Sequence, residues 1–362
     1  ETHNLGIGVA SLGGSIAGGE YNVAVGNYSL DALTSGDGNV AIGYNAGTSL
    51  TIGTKHVFIG YEAGASSVTN TDGSVCIGYQ AGNALLNGGS VFVGPETGKL
   101  VTTGSSNVMV GYAAGRNFDT ENHNIGMGTF ALGGAIAGGE YNVAIGGLAL
   151  DALTSGDDNL AAGYNSGTSI TSGTDNVALG KDAMSVVVGG SGNICLGSGA
   201  DVADGAADFT TAIGFQVGGT AGYTTIGKTT DDIRAAHGNI TWATVSDERF
   251  KKNIQTSDAG LAVINDLRPV TYNWKTKGEV PEWSKIYEAG SNEQYKNSKL
   301  NHGFIAQEVK AVIDSHSELK NGFTMWDERP DGQQEVGETA IVPILVKAVQ
   351  ELSATVTTLQ QE

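Results

Sequence analysis

The chain has 362 residues, of which 56 are glycine, 38 acidic and 19 basic, for a net charge of −19. That length suffices for two or three domains with real cores, and glycine at about twice its usual share points to turn-rich, repetitive architecture. The acidity excludes nucleic acid as a partner, because phosphate binding needs a basic face, and no run approaches about 18 apolar residues, so neither a transmembrane helix nor membrane insertion is predicted.

From the N-terminus the dominant signal is an internal repeat. The chain opens at Glu1 without a basic-then-apolar leader, the reading of a fragment whose N-terminal attachment region is missing. Anchor glycines recur every 16 to 18 residues, at Gly8, Gly26, Gly43, Gly60 and onward to Gly214, with a shorter last step to Gly227. A longer period is superposed: Gly18–Ala24 returns as Gly138–Ala144, 120 residues later. Each unit reads Asn-Val-small-Ile-Gly. The β-branched residues favour a strand, and Gly, Asn, Asp and Ser supply turns. One such unit cannot bury its own apolar face, but a stack of about thirteen builds a continuous core. Residues 1–227 are therefore predicted to form a β-solenoid, roughly 60 Å long at strand spacing.

Three columns follow from the fixed phase of the repeat. Asn4, Asn22, Asn39, Asn107, Asn124, Asn142, Asn159, Asn176 and Asn193 stand four residues before an anchor, placing their amides in a ladder. Tyr44, Tyr61, Tyr79, Tyr112 and Tyr164 directly follow an anchor, a phase that favours mutual stacking over a sugar-binding stripe. Cys76 and Cys195 lie seven repeats apart, roughly 34 Å along the stack, far beyond disulfide reach. The strand's middle position is itself apolar (Ala24, Ala41, Phe58, Cys76, Phe92, Met109). Both faces of the strand thus read as buried: the Val/Ile pair inside its own coil, the middle residue against a neighbouring chain. This predicts coils lying side by side in an oligomer. The unit resembles the head repeats of trimeric bacterial adhesins and the shafts of phage fibres. Gly222–Thr229 fits the P-loop spacing, but no βαβ pattern surrounds it and Gly227 closes the repeat array, so nucleotide binding is not expected. No paired carboxylates of the kind a glycosidase needs stand out, and no metal or cofactor is implied.

Residues 228–245 read as a connector, and from Ser246 the composition changes: Gly becomes scarce while Trp, Lys and Arg appear. Residues 261–267 read as a short helix, 269–274 as a strand and 275–300 as a polar excursion. Residues 303–309 open an amphipathic helix with Ile305, Val309, Val312 and Ile313 on one face. Leu345, Val349, Leu352, Val356 and Leu359 step by 4, 3, 4 and 3, a coiled-coil seam that begins at Pro343, a residue suited to a helix start. The overall class is mainly β: a repetitive solenoid shaft followed by a small α+β domain over 246–362 ending in a coiled-coil helix.

Ser246-Asp247-x-Arg249-x-Lys251-x-x-Ile254, Leu267-x-Pro269-Val270-x-Tyr272-x-Trp274, Gly303-Phe304-Ile305-Ala306-Gln307-Glu308 and the run Ile341–Leu352 occur in the order found in the endosialidase-type intramolecular chaperone domain, which this segment resembles. The resemblance implies a domain that drives trimerisation of an upstream β-structure in a phage tail fibre or spike and then removes itself. It implies a single-turnover serine peptidase in which Ser246 is the nucleophile and Lys251 its base, cutting between Val245 and Ser246. Residues alone support this only as far as a lysine able to activate a nearby hydroxyl. Asp247 and Arg249 occupy motif positions with structural roles expected, and His302 precedes the Gly-Phe-Ile-Ala motif as an auxiliary candidate. The partners expected are two further copies of the chain and a polysaccharide or protein receptor on the host surface, and the location is the virion, after synthesis in the host cytoplasm. The competing readings are a polysaccharide depolymerase acting on the shaft and a cellular trimeric adhesin.

Overall fold

Val-small-Ile triplets become three-residue strands, from Leu5–Ile7 and Val23–Val25 to Ile194–Leu196, and each pairs in parallel with the next. The register is uniform: Val40 pairs with Val57, Ala41 with Phe58 and Ile42 with Ile59. The result is a β-solenoid of about thirteen turns, in a computed structural model that describes residues 2–67, 73–238, 246–319, 325–329 and 332–361. Two compact units are present, Glu1–Ser246 and Asp247–Glu362.

The anchor glycines explain the repeat. Gly8, Gly26, Gly43 and Gly60 have φ between 133° and 140°, a region closed to side chains. A Cβ on Gly60 would also sit 2.7 Å from the carbonyl carbon of Gly78 and nearer still to its oxygen. Glycine is thus required twice, by conformation and by the close approach of successive coils.

The asparagines form the predicted ladder. Asn159 Nδ2 donates to Asn142 Oδ1 at 3.0 Å and to the Gly173 carbonyl at 2.9 Å, while Asn176 repeats the pattern one coil on. Backbone N–H groups join in, as when Asn39 N donates to Asn22 Oδ1 at 2.9 Å. The column is interrupted at His56, Ser74 and Ser90, where Ser74 N donates to His56 Nδ1 and Asn107 N to Ser90 Oγ. From Asn22 onward these amides are buried, and buried amides are tolerable only when bonded in this way.

The facing of the strands is the reverse of the expectation. Ala41, Phe58, Cys76, Phe92 and Met109, the middle residues, are wholly buried within the single chain. The flanking residues are half-buried or exposed, for example Ile42, Val108, Ile145 and Ile194. The middle residue fills its own coil because the turns around it are glycine: a Cβ on Gly64 would meet the Phe58 ring at 2.7 Å, and one on Gly115 would meet Met109 Sδ at 2.8 Å. The two flanking columns are left on the outside of the sheet.

Tyr44 stacks on Tyr61 at 5.2 Å and Tyr61 on Tyr79 at 5.5 Å, both nearly parallel. Stacked rings spend their faces on one another, leaving little face for a sugar. Both cysteines are free and buried, and burial pushes the Cys195 thiol up to about 12. The P-loop-like stretch is a strand, Tyr223–Lys228, with no helix after it. It pairs in parallel with Thr211–Phe215 and antiparallel with Asp231–Ala236, so the sheet runs past Gly227 into the segment read as connector. That last strand carries Asp231, Asp232 and Arg234, charges that discourage further pairing at a sheet edge.

Among its described residues the second unit has three α-helices: α1 (Leu261–Asp266), α2 (Ala306–Ser315) and α3 (Val342–Leu359). Val263, Val309, Ile313, Met325 and Ile344 form its core. Two short hairpins, Val270–Tyr272 with Asn301–Gly303 and Trp326–Glu328 with Gln334–Val336, complete it. Ile305 precedes α2 as its cap and is 37 % exposed, so only part of the predicted apolar face is buried. Pro343 lies in the first turn of α3. Counting consecutive apolar residues underrates this helix: Glu338–Leu359 is long and apolar enough, by length and composition, to cross a membrane. Its Lys347, Gln350 and Glu351 nevertheless lie off the seam. Ile344 and Ala348 are buried, whereas Leu345, Val349, Leu352, Val356 and Leu359 are all exposed.

Candidate functional site

Ser246 is exposed and is the last residue of the first unit. The other side of the predicted scissile bond, Val245, lies outside the described residues. Directly after Ser246, Glu248–Phe250 forms one turn of 3₁₀ helix. Asp247 caps it, accepting from Arg249 N at 2.9 Å, and Lys251 closes it by donating its N–H to the Glu248 carbonyl at 3.0 Å. Arg249 Nε also bonds both Asp247 oxygens, at 3.1 and 3.0 Å. The Arg249 guanidinium holds the Asp247 carboxyl below the usual carboxylate range. Asp247 and Arg249 thus spend their charges on each other and on shaping the turn. Lys251 ends the turn with its side chain exposed.

His302 is carried by a strand of the second unit. It lies on the Asn301–Gly303 strand opposite Thr271, beside an open cleft of about 460 Å³ lined by Pro269, Val270, Thr271, Gly303, Phe304 and Glu338, none of them from residues 246–251.

Several charged positions without an assigned role in the sequence reading hold the helices in place. Arg268 makes a bidentate pair with Glu308. The Glu351 carboxylate accepts from Leu261 N at 2.8 Å, serving as the N-terminal cap of α1 from across the unit. His316 Nε2 lies 2.8 Å from Asp266 and its Nδ1 3.0 Å from Glu318. Glu308 and Glu351 fall inside the motif runs, and a charge inside an otherwise apolar motif was the signal available.

These pairs give the second unit a pH window. Asp266 and Glu318 raise the His316 pKa, so its contribution is complete below the ordinary histidine value, about 6.5, and fades as pH rises through the raised value. The Leu261 N–H lowers the Glu351 pKa and Arg268 lowers that of Glu308. Those contributions are present above the ordinary carboxylate range and fade as pH falls through the lowered values. Thermal unfolding of this unit, followed by tryptophan fluorescence, is expected to peak in mildly acid solution, and His316→Gln should remove the decline on the alkaline side.

A β-solenoid followed by a small α+β unit fits the organisation of a phage fibre with a C-terminal chaperone domain. Residues 246–317 match the family described as chaperone of endosialidase, a peptidase family. No curated protein and no solved structure matches the chain.

Proposed function

We propose that this is the distal part of a phage tail fibre or spike that attaches to a host surface, assembles as a parallel homotrimer and then cuts the Val245–Ser246 bond. The observation that carries the reading is the placement of Ser246 and Lys251: they bracket a capped turn at the boundary between the units, where the family match begins. Neutral Lys251 takes the Ser246 hydroxyl proton, and the oxygen attacks the Val245 carbonyl carbon. The Val245–Ser246 C–N bond breaks, the proton passes to the released Ser246 amine, and an ester to Ser246 Oγ remains. Water hydrolyses that ester, and the domain leaves after one turnover. A lysine works as a base when desolvation or a nearby cation lowers its pKa. Lys251 is exposed in the single chain, so its desolvation is assigned to assembly.

Two surfaces support the oligomer. One is the outward column of Val, Ile and Leu flanking the strands, and the other is the exposed α3 seam. Bringing chains together in register through a compact C-terminal domain shortens the search for non-local pairing, which is otherwise slow and prone to aggregate. Loss of that domain leaves a shaft with no easy route back, which is kinetic stability. Native and denaturing mass spectrometry of the purified protein tests the reading. A trimer of chains of residues 1–245, with a separate released fragment of residues 246–362, is expected, and a stable monomer of uncut chain would refute it.

A further inference from the structure

Each asparagine of the ladder bonds in two directions. Its carboxamide oxygen accepts the backbone N–H of the next rung, as Asn22 does from Asn39 and Asn39 from His56, both at 2.9 Å. Its amide nitrogen donates to a carbonyl just ahead of that rung, Asn22 to Gly36 and Asn39 to Gly53, again at 2.9 Å. Serine can do neither at Ser74 and Ser90. The coils do not close up to compensate: Val75 stays opposite Val91 and Val91 opposite Val108. Val75 N donates to Ser90 O at 3.0 Å and Val91 N to Asn107 O at 2.8 Å, so the backbone spacing holds across both serines.

Four polar groups are therefore left over among the described residues. Ser74 Oγ is fully buried and has no partner. The N–H of Ser90, also fully buried, finds no acceptor where an asparagine at 74 would offer its oxygen. Asn87 O and Gly104 O, which stand in the places of Gly36 O and Gly53 O, receive no donor. Ser90 Oγ accepts from Asn107 N at 3.2 Å, so its own proton is still to be placed. From Asn107 to Asn193 the carboxamides bond onward without a break. Thr210 Oγ1, where the carboxamides end, is again buried without a partner. The leftover groups thus follow the missing carboxamides.

We propose that two buried waters complete the ladder at the serine rungs. The first accepts the Ser90 N–H, bonds Ser74 Oγ and donates to the Asn87 carbonyl. The second accepts the Ser90 hydroxyl proton and donates to the Gly104 carbonyl. A hydroxyl in place of a carboxamide removes two heavy atoms, a loss comparable with the share of one water, about 30 Å³. Each water gains at least two polar partners, the condition for holding solvent in an interior. Without them, each buried donor and acceptor keeps the full cost of its desolvation. Water fits where a cation does not, because Ser90 turns an N–H toward the first position and no carboxylate is among the bonding groups. Neither water depends on cleavage at Ser246.

Ser74→Ala in the full chain separates a wet rung from a dry one, because Ser74 Oγ has no protein partner to lose. With water bound, the variant strips that water of a partner, and the melting temperature of the shaft, followed by circular dichroism, should fall by roughly 2–4 °C. In a dry rung the same change removes a buried orphan hydroxyl, and the melting temperature should hold or rise. That result would overturn the proposal. A crystal structure of the wild-type protein, at a resolution that orders buried solvent, gives the direct reading. Solvent density is expected within hydrogen-bond distance of Ser74 Oγ and the Ser90 nitrogen, with a second peak between Ser90 Oγ and the Gly104 carbonyl oxygen. Absence of both peaks, or Ser74 Oγ bonded directly to the Ser90 nitrogen, would overturn the proposal whatever the melting shows.

Discussion

Ser246→Ala is expected to leave the chain at its full 362 residues while the shaft folds and the oligomer forms. The substitution removes one exposed hydroxyl and no buried apolar side chain, so its main effect should fall on the reaction. Without the nucleophile no ester can form, and cutting should drop to background. Lys251→Ala should do nearly the same by removing the base, whereas Lys252→Ala should cut normally. Denaturing mass measured over hours after assembly reads all three. A bond cut elsewhere, or cutting that persists in Ser246→Ala, would reject the mechanism. The cut shaft should also refold poorly after denaturation even though it resists unfolding, because what it has lost is the assembly route.

The second large effect is expected at the glycine spine. In Gly60→Ala the new Cβ meets the Gly78 peptide in a backbone conformation that disfavours side chains. Neither element can yield, because the next coil is held in the same way. The combined cost should exceed about 4 kcal/mol, the range reserved for severe core or backbone lesions, and the shaft should fail to assemble. Gly89→Ala is the matched comparison: its φ is also positive, at 80°, but nothing lies within 4 Å of the new Cβ. Only the conformational term remains, about 1–2 kcal/mol, and a folded shaft with a slightly lower melting temperature should result. Soluble yield and circular-dichroism melting of the two variants separate collision from conformation. Equal behaviour would show that close coil contact is not what the spine requires.

Much of this protein could be read in its residues because a repeat states the same structural sentence about thirteen times. The period of 16 to 18 residues defined the coil, the β-branched pairs located the strands, and the recurring asparagine predicted a ladder that the hydrogen bonds display. The C-terminal motifs marked where the family match begins, at Ser246, and the helix starting near Pro343. Less was legible where residues meet across long separations. The contact of Glu351 with Leu261 spans 90 residues, and that of His316 with Asp266 spans 50. The strand at Asn301–Gly303 and the hairpin at Trp326–Val336 are too short and too polar for a periodic signal.

The sequence by itself determined that coils stack and what repeats along them, whereas the sheet runs on past Gly227, where the repeat stops. It could not determine which side of each strand faces inward, because a three-residue strand with three apolar positions carries no alternation to read. Tertiary structure decided that point through volume. The coil interior accepts one side chain per strand, the Phe58 ring is already in contact with the backbone at Gly64, and the two flanking residues have nowhere to go but out.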